Sequence, residues 1–481
     1  MSNREPKARN LEGPNGKKSK TPASFGDAMR QKTTDEVELP SGEQGEARGE
    51  RRSGEASTAE CGNARSGTDH LMEEVVEASN LKAALKRVKQ NKGSPGVDGM
   101  SVMELSAFLT EHWRRIRDEL LTGIYQPTSV KEQQIRKRDG GIRKLGIPTV
   151  LDRFIQQAIL QVLQPRIDPT FSEHSYGFRP LRSAHDAVRA AQKYIQGGKT
   201  WVVDVDLEKM FDTVNHDVLM AKMAKRIADK RMLGLIRRYL NAGIMADGVT
   251  TERYEGTPQG GPLSPLLANV LLDDVDRELE KRGHAFCRYA DDCNVYVGSQ
   301  RAGEDVMQLL VKLYAKLRLK VNASKSAVAR PWERKFLGYS FFVTEHDDVK
   351  RSVAPKALEA MKERVRDITD RNGGRSMSQV ADELRSYLPG WRNYFSLADT
   401  PEVFRALDDW IRRRLRVLQL KQWKRGTTVY VQLRKRGLSH AIAARVAQCS
   451  RRYWWVTQLP QILMALPDQL FDALRIPRLA R

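Results

Sequence analysis

Aspartates in two short segments carry the chemistry open to this sequence. Asp291 and Asp292 are adjacent in the run Phe286-Cys287-Arg288-Tyr289-Ala290-Asp291-Asp292-Cys293-Asn294-Val295-Tyr296-Val297, where both flanks read as strands and the acids fall at the tight turn between them. Neighbouring carboxylates repel, so a fold that holds them together needs a compensating charge, and two divalent cations bridging a phosphate supply it. The other Asp-Asp pairs, Asp273-Asp274, Asp347-Asp348 and Asp408-Asp409, lack that setting and are expected on solvated faces or turns. The second segment is Trp201-Val202-Val203-Asp204-Val205-Asp206-Leu207-Glu208-Lys209-Met210-Phe211-Asp212. On a strand, Asp204 and Asp206 share a face, because side-chain direction repeats every second residue. One of them meeting Asp291 across a sheet would complete a two-metal site, with ions roughly 3.5–4 Å apart acting on an in-line phosphoryl displacement. Asp212 suits the alternative role of a helix cap.

Such acids need a sheet to hold them, and the surrounding pattern provides one. Between about Gln133 and Gly338 helices and strands alternate. Asp152 to Leu163 places Ile155, Ala158, Ile159 and Val162 on one helical face, and Ser183 to Ile195 reads as a second helix. Trp201 to Leu207 and Phe286 to Tyr289 read as strands, so a mainly antiparallel sheet should carry the carboxylates. From Pro355 onward the strands stop and three helical stretches follow. The clearest, Pro401 to Arg425, has an apolar stripe of Phe404, Leu407, Trp410, Ile411, Leu415 and Leu418. Arg412, Arg413, Arg414, Arg416, Lys421, Lys424 and Arg425 cover most of the rest, and four arginines in five positions repel unless an anion is present.

Composition narrows the partners. With 82 Lys and Arg against 60 Asp and Glu, the 481-residue chain has a net charge of +22, which implies a polyanion, with nucleic acid the usual one. The four cysteines, Cys61, Cys287, Cys293 and Cys449, form no Cys-x-x-Cys pair, which argues against zinc and a disulfide framework and suits a reducing cytoplasm. No long apolar run or apolar leader is present, so no membrane partner is expected and the protein should stay inside the cell. Met1 to about His70 is polar and nearly free of large apolar side chains, a composition expected to be disordered. Helical spacing of Leu71, Val75, Val76, Leu81, Leu85 and Val88 begins the folded part, and Gly93-Ser94-Pro95-Gly96-Val97-Asp98-Gly99 breaks it.

Read in order, the chain from about Leu71 to Leu459 resembles the group II intron-encoded reverse transcriptase/maturases. Gly93 to Gly99 is similar to their N-terminal extension block, and Arg138-Asp139-Gly140-Gly141-Ile142-Arg143-Lys144-Leu145-Gly146-Ile147-Pro148 to their first polymerase block. Ser175-Tyr176-Gly177-Phe178-Arg179-Pro180 resembles the second, and the Asp206 segment the third. Gly256-Thr257-Pro258-Gln259-Gly260-Gly261-Pro262-Leu263-Ser264-Pro265 resembles the fourth, and Tyr289-Ala290-Asp291-Asp292 the fifth. Leu319 to Lys325 and Phe336-Leu337-Gly338-Tyr339 resemble the sixth and seventh. Each block is weak alone, and their order and spacing together are specific.

The resemblance implies an α+β right-hand polymerase, with fingers and a palm built on an antiparallel sheet over 71–345. An all-α thumb and maturase domain over 350–445 would follow, then a basic C-terminal extension over 446–481 whose composition leaves DNA contact open. It implies two Mg²⁺ ions held by Asp206, Asp291 and the Leu207 carbonyl, with Asp292 completing the shell. The family's pattern of Asp, four residues, then Phe selects Asp206 over Asp204. Phe211 would exclude a ribose 2′-hydroxyl, for which a flat apolar ring leaves no partner. Lys137 and Arg143 would clamp the triphosphate, Gln259 would lie in the nucleotide loop beside Gly260 and Gly261, and Lys325 would donate a proton to the leaving pyrophosphate.

Leu388-Pro389-Gly390-Trp391-Arg392-Asn393-Tyr394-Phe395 and the basic helix resemble the thumb and maturase region, where Arg412, Arg413, Arg414, Arg416, Lys421, Lys424 and Arg425 would meet RNA phosphates. Trp391, Trp410 and Trp423 read more readily as core anchors. The expected partners are group II intron RNA, an RNA template with its DNA primer, target DNA and dNTPs, in a ribonucleoprotein of the bacterial cytoplasm. The paired Cys of a C-terminal His-Asn-His endonuclease are not found near His440, so that domain is expected to be absent. The competing readings are an RNA-binding splicing cofactor without polymerase activity, and a related reverse transcriptase serving a retron, diversity generation or phage defence.

Overall fold

The computed structural model describes residues 68–136, 141–246, 249–251, 254–257, 260–449 and 452–480. The polar segment expected to be disordered lies outside them apart from 68–70. The described residues gather into two units, one of 68–364 with 395–403 and one of 365–394 with 404–480.

In the first unit the carboxylates ride on a four-stranded sheet ordered Ala285–Tyr289, Asp292–Val297, Trp201–Val205, Ala327–Ala329. Every pairing in it is antiparallel. Its centre is apolar on both sides of the pleat, with Val202, Val203, Val205, Phe286, Val295 and Tyr296 all buried. A second sheet, ordered Ile142–Ile147, Val130–Arg136, Ile244–Ala246, Val249–Thr251, contains one parallel pair, Val130 opposite Ile244 and Lys131 opposite Met245. A third joins Lys335–Phe336, Tyr339–Val343 and Val349–Val353. In its Phe336-Leu337-Gly338-Tyr339 turn both central residues have positive φ, 51° and 80°, as a type I′ hairpin requires.

Helix Val150–Ile167 shows why the apolar spacing of the sequence was readable. Thr149 caps it by accepting from the Asp152 amide, and Phe154, Ile155, Ala158, Ile159, Val162, Leu163 and Ile167 are buried along it. Each full burial of a large apolar side chain contributes about 1.5–3 kcal/mol. Helix Ala184–Gln196 starts from a capping box between Ser183 and Asp186. The apolar run from Leu71 is two helices, Leu71–Val75 and Ala78–Asn91, with Leu81 and Leu85 only partly buried.

In the second unit the helical stretches outnumber the three expected: Met377–Tyr394 and Pro401–Gln422 are followed by Gly426–Lys435, His440–Gln448 and three short turns of helix. The basic C-terminal extension expected over 446–481 lies, as far as it is described, in this unit. Val456, Ile462, Ala465 and Leu466 share one apolar core with Leu420, Trp423, Val429 and Leu433.

Two expectations about charge need correction. Asp273 and Asp408, placed on solvated faces from sequence, are buried. Asp273 pairs with Arg226 at 2.7 Å, and Asp408 accepts from the Leu479 and Ala480 amides at 2.8 Å each. Arg412 and Arg416, expected to face RNA, are 1% and 7% exposed. Arg412 donates to Asp472 at 2.8 Å and to the Ile476 carbonyl at 3.0 Å. Arg416 donates to Asp468 at 2.5 Å and to the Leu466 carbonyl at 2.8 Å. The anion that the crowded arginines demand is, for these two, the protein's own carboxylates.

Candidate active site

Tyr289 pairs with Asp292, leaving Ala290 and Asp291 as a two-residue turn at the end of the hairpin. Ala290 has φ of 59°, a left-handed conformation that costs a non-glycine residue on the order of 1–3 kcal/mol. The surroundings hold it there. Gly177 lies against the turn so closely that a Cβ would collide with the Ala290 nitrogen and come within 2.9 Å of the Tyr289 carbonyl carbon. Asn269 donates to the Gly177 carbonyl at 2.9 Å and accepts from Arg288 at 2.9 Å. Arg288 also donates to the Ala290 carbonyl at 3.0 Å and to the Ser175 hydroxyl at 2.7 Å. Its counter-ion is Asp276 at 2.6 Å, with both side chains fully buried. Sequence reading missed Arg288, Asn269 and Asp276; a lone charge in the apolar strand Phe286-Cys287-Arg288-Tyr289 was the available signal.

The central strand brings the other acids alongside. Asp204 is opposite Asn294 and Val205 opposite Cys293, so Asp206 leaves the strand beside the hairpin end. The backbone of Asp206 is fixed by the next block: its amide donates to the Ser326 hydroxyl at 3.0 Å, and its carbonyl accepts from the Asn322 amide at 2.8 Å. Lys325 Nζ is 3.2 Å from Asp206 Oδ2. Asp204 pairs with Arg334 at 2.7 Å. Its carboxyl is nonetheless raised, because burial outweighs Arg334 and Asp206 adds repulsion.

The electrostatics tie these acids into one cluster. The Asp292 carboxyl is pushed up to about 7 by burial among its neighbours and by the charges of Asp291, Asp204 and Asp206. Asp292 lies exposed at the end of the sheet, where its carboxyl faces the like charges of Asp291, Asp204 and Asp206. A set of hard oxygen donors that repel one another fits a divalent cation such as magnesium. Among the described residues no three His, Cys, Asp or Glu side chains converge as a ligand set. Leu207 forms a bridge with Val321, which fixes its backbone beside the cluster.

Phe211 sits in the turn Met210–Thr213, partly buried against the main core. Its carbonyl accepts from the Thr257 amide at 2.7 Å, which docks the glycine-rich loop on it. Buried His216, another residue that sequence reading missed, holds the Gly256 carbonyl with Nε2 at 2.7 Å. Gly260 and Gly261 do allow close approach, to the Gly146 carbonyl and the Gln156 side chain. Lys137 and Gln259 lie outside the described residues, and Arg143 is described only as backbone in the strand Ile142–Ile147.

Of the remaining basic residues, Lys421 is half-buried and Lys424 and Arg425 are exposed. Arg413 stacks 3.8 Å from the Trp454 ring centroid. Arg414 donates to Thr369 at 2.6 Å and lines a cleft of about 600 Å³ with Arg366, Arg371 and Trp454. Burial first, then the charges of Arg366 and Arg371, lower its pKa. Trp423 is buried, while Trp391 and Trp410 are half-buried.

The comparisons with known proteins match two stretches of the chain. Residues 135–341 match the model "Reverse transcriptase (RNA-dependent DNA polymerase)", and 358–437 match "Group II intron, maturase-specific domain". Protein YkfC of Escherichia coli (strain K12) is 33% identical over 54% of this chain and 78% of its own length. Group II intron-encoded protein LtrA of Lactococcus lactis subsp. cremoris is 36% identical over 40% of this chain, and the matched part spans about a third of it, 32%. The "Putative COX1/OXI3 intron 1 protein" of Saccharomyces cerevisiae is 30% identical over 44% of this chain and 25% of its own. A chain of the "Partial Cas6-RT-Cas1--Cas2 complex" is 27% identical over 52% of this chain and 42% of that one, with a TM-score of 0.34 too low to add to the fold. Among the described residues no helix is long and apolar enough to cross a membrane.

Proposed function

The chain belongs to the group II intron reverse transcriptase/maturase family, whose polymerase domain is an RNA-directed DNA polymerase, and we propose that it extends a DNA primer on an RNA template with dNTPs while binding its own intron RNA to assist splicing and mobility. The observation that carries this reading is the cluster of Asp204, Asp206, Asp291 and Asp292 at one end of the antiparallel sheet, with Asp292 pushed up by its neighbours.

Asp206, Asp291 and the Leu207 carbonyl are the groups to hold two magnesium ions, with Asp292 beside them. Bound there, the ions would neutralise charge on an in-line phosphoryl displacement. The chain's own part is positioning. The buttressed turn fixes Asp291, and the Asn322 and Ser326 contacts fix Asp206. Phe211, held by the Thr257 amide, presents a ring that leaves a ribose 2′-hydroxyl unpartnered, which favours deoxynucleotides. Lys325 is the proton donor to the leaving pyrophosphate, resting on Asp206 until substrate enters. Lys137, Arg143 and Gln259 are assigned to the nucleotide on the family pattern alone.

RNA contact is assigned to the half-buried Arg413 and Arg414, which the structure places nearer solvent than Arg412 and Arg416. Arg414, crowded by Arg366 and Arg371, and Arg413 over Trp454 combine charge with an aromatic face, the pairing that structured RNA uses. Lys421, Lys424 and Arg425 complete that proposal. Target DNA remains a proposed partner on family grounds.

Primer extension on an RNA template with dNTPs and Mg²⁺, comparing wild type with Asp291→Ala, tests the polymerase. Extension by wild type and a loss of roughly a thousandfold or more in the variant is expected. A wild type that binds RNA in a salt-sensitive way but extends nothing would move the protein to the splicing-cofactor class.

A further inference from the structure

Arg334 lies between the turn Pro331–Glu333 and the strand Lys335–Phe336, outside every segment assigned to the reaction. Its guanidinium makes two connections at once. Nε and Nη2 both hold Asp204 Oδ2, at 2.8 and 2.7 Å. Nη2 also donates to the backbone carbonyl of Lys325. Lys325 in turn places Nζ 3.2 Å from Asp206. One side chain therefore spans from the central strand to the backbone of the residue read as the proton donor.

The remaining contacts show why that span matters. The turn carrying Lys325 is tied to Asp206 on its other side, through the Asn322 amide at 2.8 Å and the Ser326 hydroxyl at 3.0 Å. Lys325 is 62% exposed, so apart from its ion pair with Asp206 its direction depends on how its backbone is held. Asn322 and Ser326 anchor the two ends of the turn, and Arg334 anchors the carbonyl between them. Asp204 is 21% exposed and sits on a buried sheet, a rigid base for the guanidinium. A planar fork with several donors can serve a carboxylate and a carbonyl together, which an ammonium cannot reproduce.

We propose that Arg334, seated on Asp204, is a positioning residue that aims Lys325 at the leaving pyrophosphate; this rests on the reading of Lys325 as proton donor. Asp204 then has a task distinct from metal binding, which accounts for an acid two residues before the one the family pattern selects. Arg334 is 30% exposed, so its replacement leaves the core intact.

The test is a double-mutant cycle on single-turnover dNTP addition, using Arg334→Ala, Lys325→Ala and the combined variant of the full chain. A positioned general acid is worth about 10²–10⁴-fold. Lys325→Ala is expected to lower the maximal rate within that range, and Arg334→Ala by about tenfold or more with dNTP affinity changed less than about threefold. The combined variant should be no slower than Lys325→Ala, because Arg334 acts through Lys325. Arg334→Lys should restore only part of the rate.

Two failures are distinguishable. Full multiplication of the two single effects, or an unaffected Arg334→Ala beside an impaired Lys325→Ala, overturns the role of Arg334 and leaves the proton donor standing. An unimpaired Lys325→Ala removes the proton donor itself, and the positioning role with it.

Discussion

Arg288 and Asp276 meet in a fully buried ion pair, with Nε 2.8 and 2.9 Å from the two carboxylate oxygens and Arg288 two residues before the Ala290-Asp291 turn. Burial disfavours both charges; the opposite charge and the hydrogen bonds raise Arg288, while burial still raises Asp276. Removing one partner strands the other without water. Arg288→Met or Asp276→Leu alone should cost about 3–5 kcal/mol in urea unfolding, and the double replacement clearly less than their sum. Additive losses would show that the two charges are independently satisfied.

Gly177 tests the buttress without touching a charge. Alanine there must push the Ala290 backbone, since the added Cβ has no flexible neighbour to displace. A displacement near 1 Å at a reacting centre can cost about a hundredfold. Gly177→Ala should lose on that order in primer extension while circular dichroism and RNA binding stay close to wild type. Retained activity would mean that the turn tolerates movement.

Asp229 offers a pH signature. It is 3% exposed, caps helix Lys230–Asn241 through the Arg231 and Met232 amides, and accepts from the Met72 amide at 3.1 Å. Burial raises its carboxyl, but Arg231 and the two amides of Met72 and Met232 together outweigh that and leave it lowered. A lowered acid contributes stability above its unfolded value, near 4, and loses it as pH falls through the folded value. Asp229→Asn keeps the cap and removes the charge. The stability gap to wild type, about 1–3 kcal/mol, should be constant from about pH 8 to 5 and close below about pH 4. A gap that persists in acid would assign it to shape.

Arg371 and Arg412 should separate RNA binding from folding. Arg371 is exposed at the cleft beside Arg414. Arg371→Ala should weaken intron RNA binding and reduce its salt slope by about one, with no change in melting. Arg412→Ala should cost about 1–3 kcal/mol, below the full cost of a buried pair because Asp472 keeps contact with water. RNA affinity lost in Arg412→Ala at unchanged stability would reverse this assignment.

The elements that hold Asp206, Asp291 and Asp292 were readable in the sequence, and the residues that support them were not. Asp206, Asp291 and Asp292 stand in segments with strong local signals, alternation and a tight turn, so their elements could be placed without tertiary information. Helix Val150–Ile167 was legible for the same reason. Arg288, Asp276, Asn269, His216 and Arg334 act through partners up to 130 positions away, and no local pattern marks such a pairing. The arginine cluster misled because a charge run says that a counter-ion is needed, not where it comes from. Asp468 and Asp472 provide it for Arg416 and Arg412.

Those two carboxylates also set a schedule for synthesis. Asp468 follows Arg416 by 52 residues, and Asp472 follows Arg412 by 60. At about 5–20 residues per second the ribosome delivers them roughly 3–12 seconds after the helix they neutralise. Through that interval the nascent helix carries unmatched cationic side chains beside the most abundant polyanion in its vicinity, ribosomal and messenger RNA. The C-terminal unit can complete this packing only once Asp468 and Asp472 have been made, 52 and 60 residues after the arginines they neutralise.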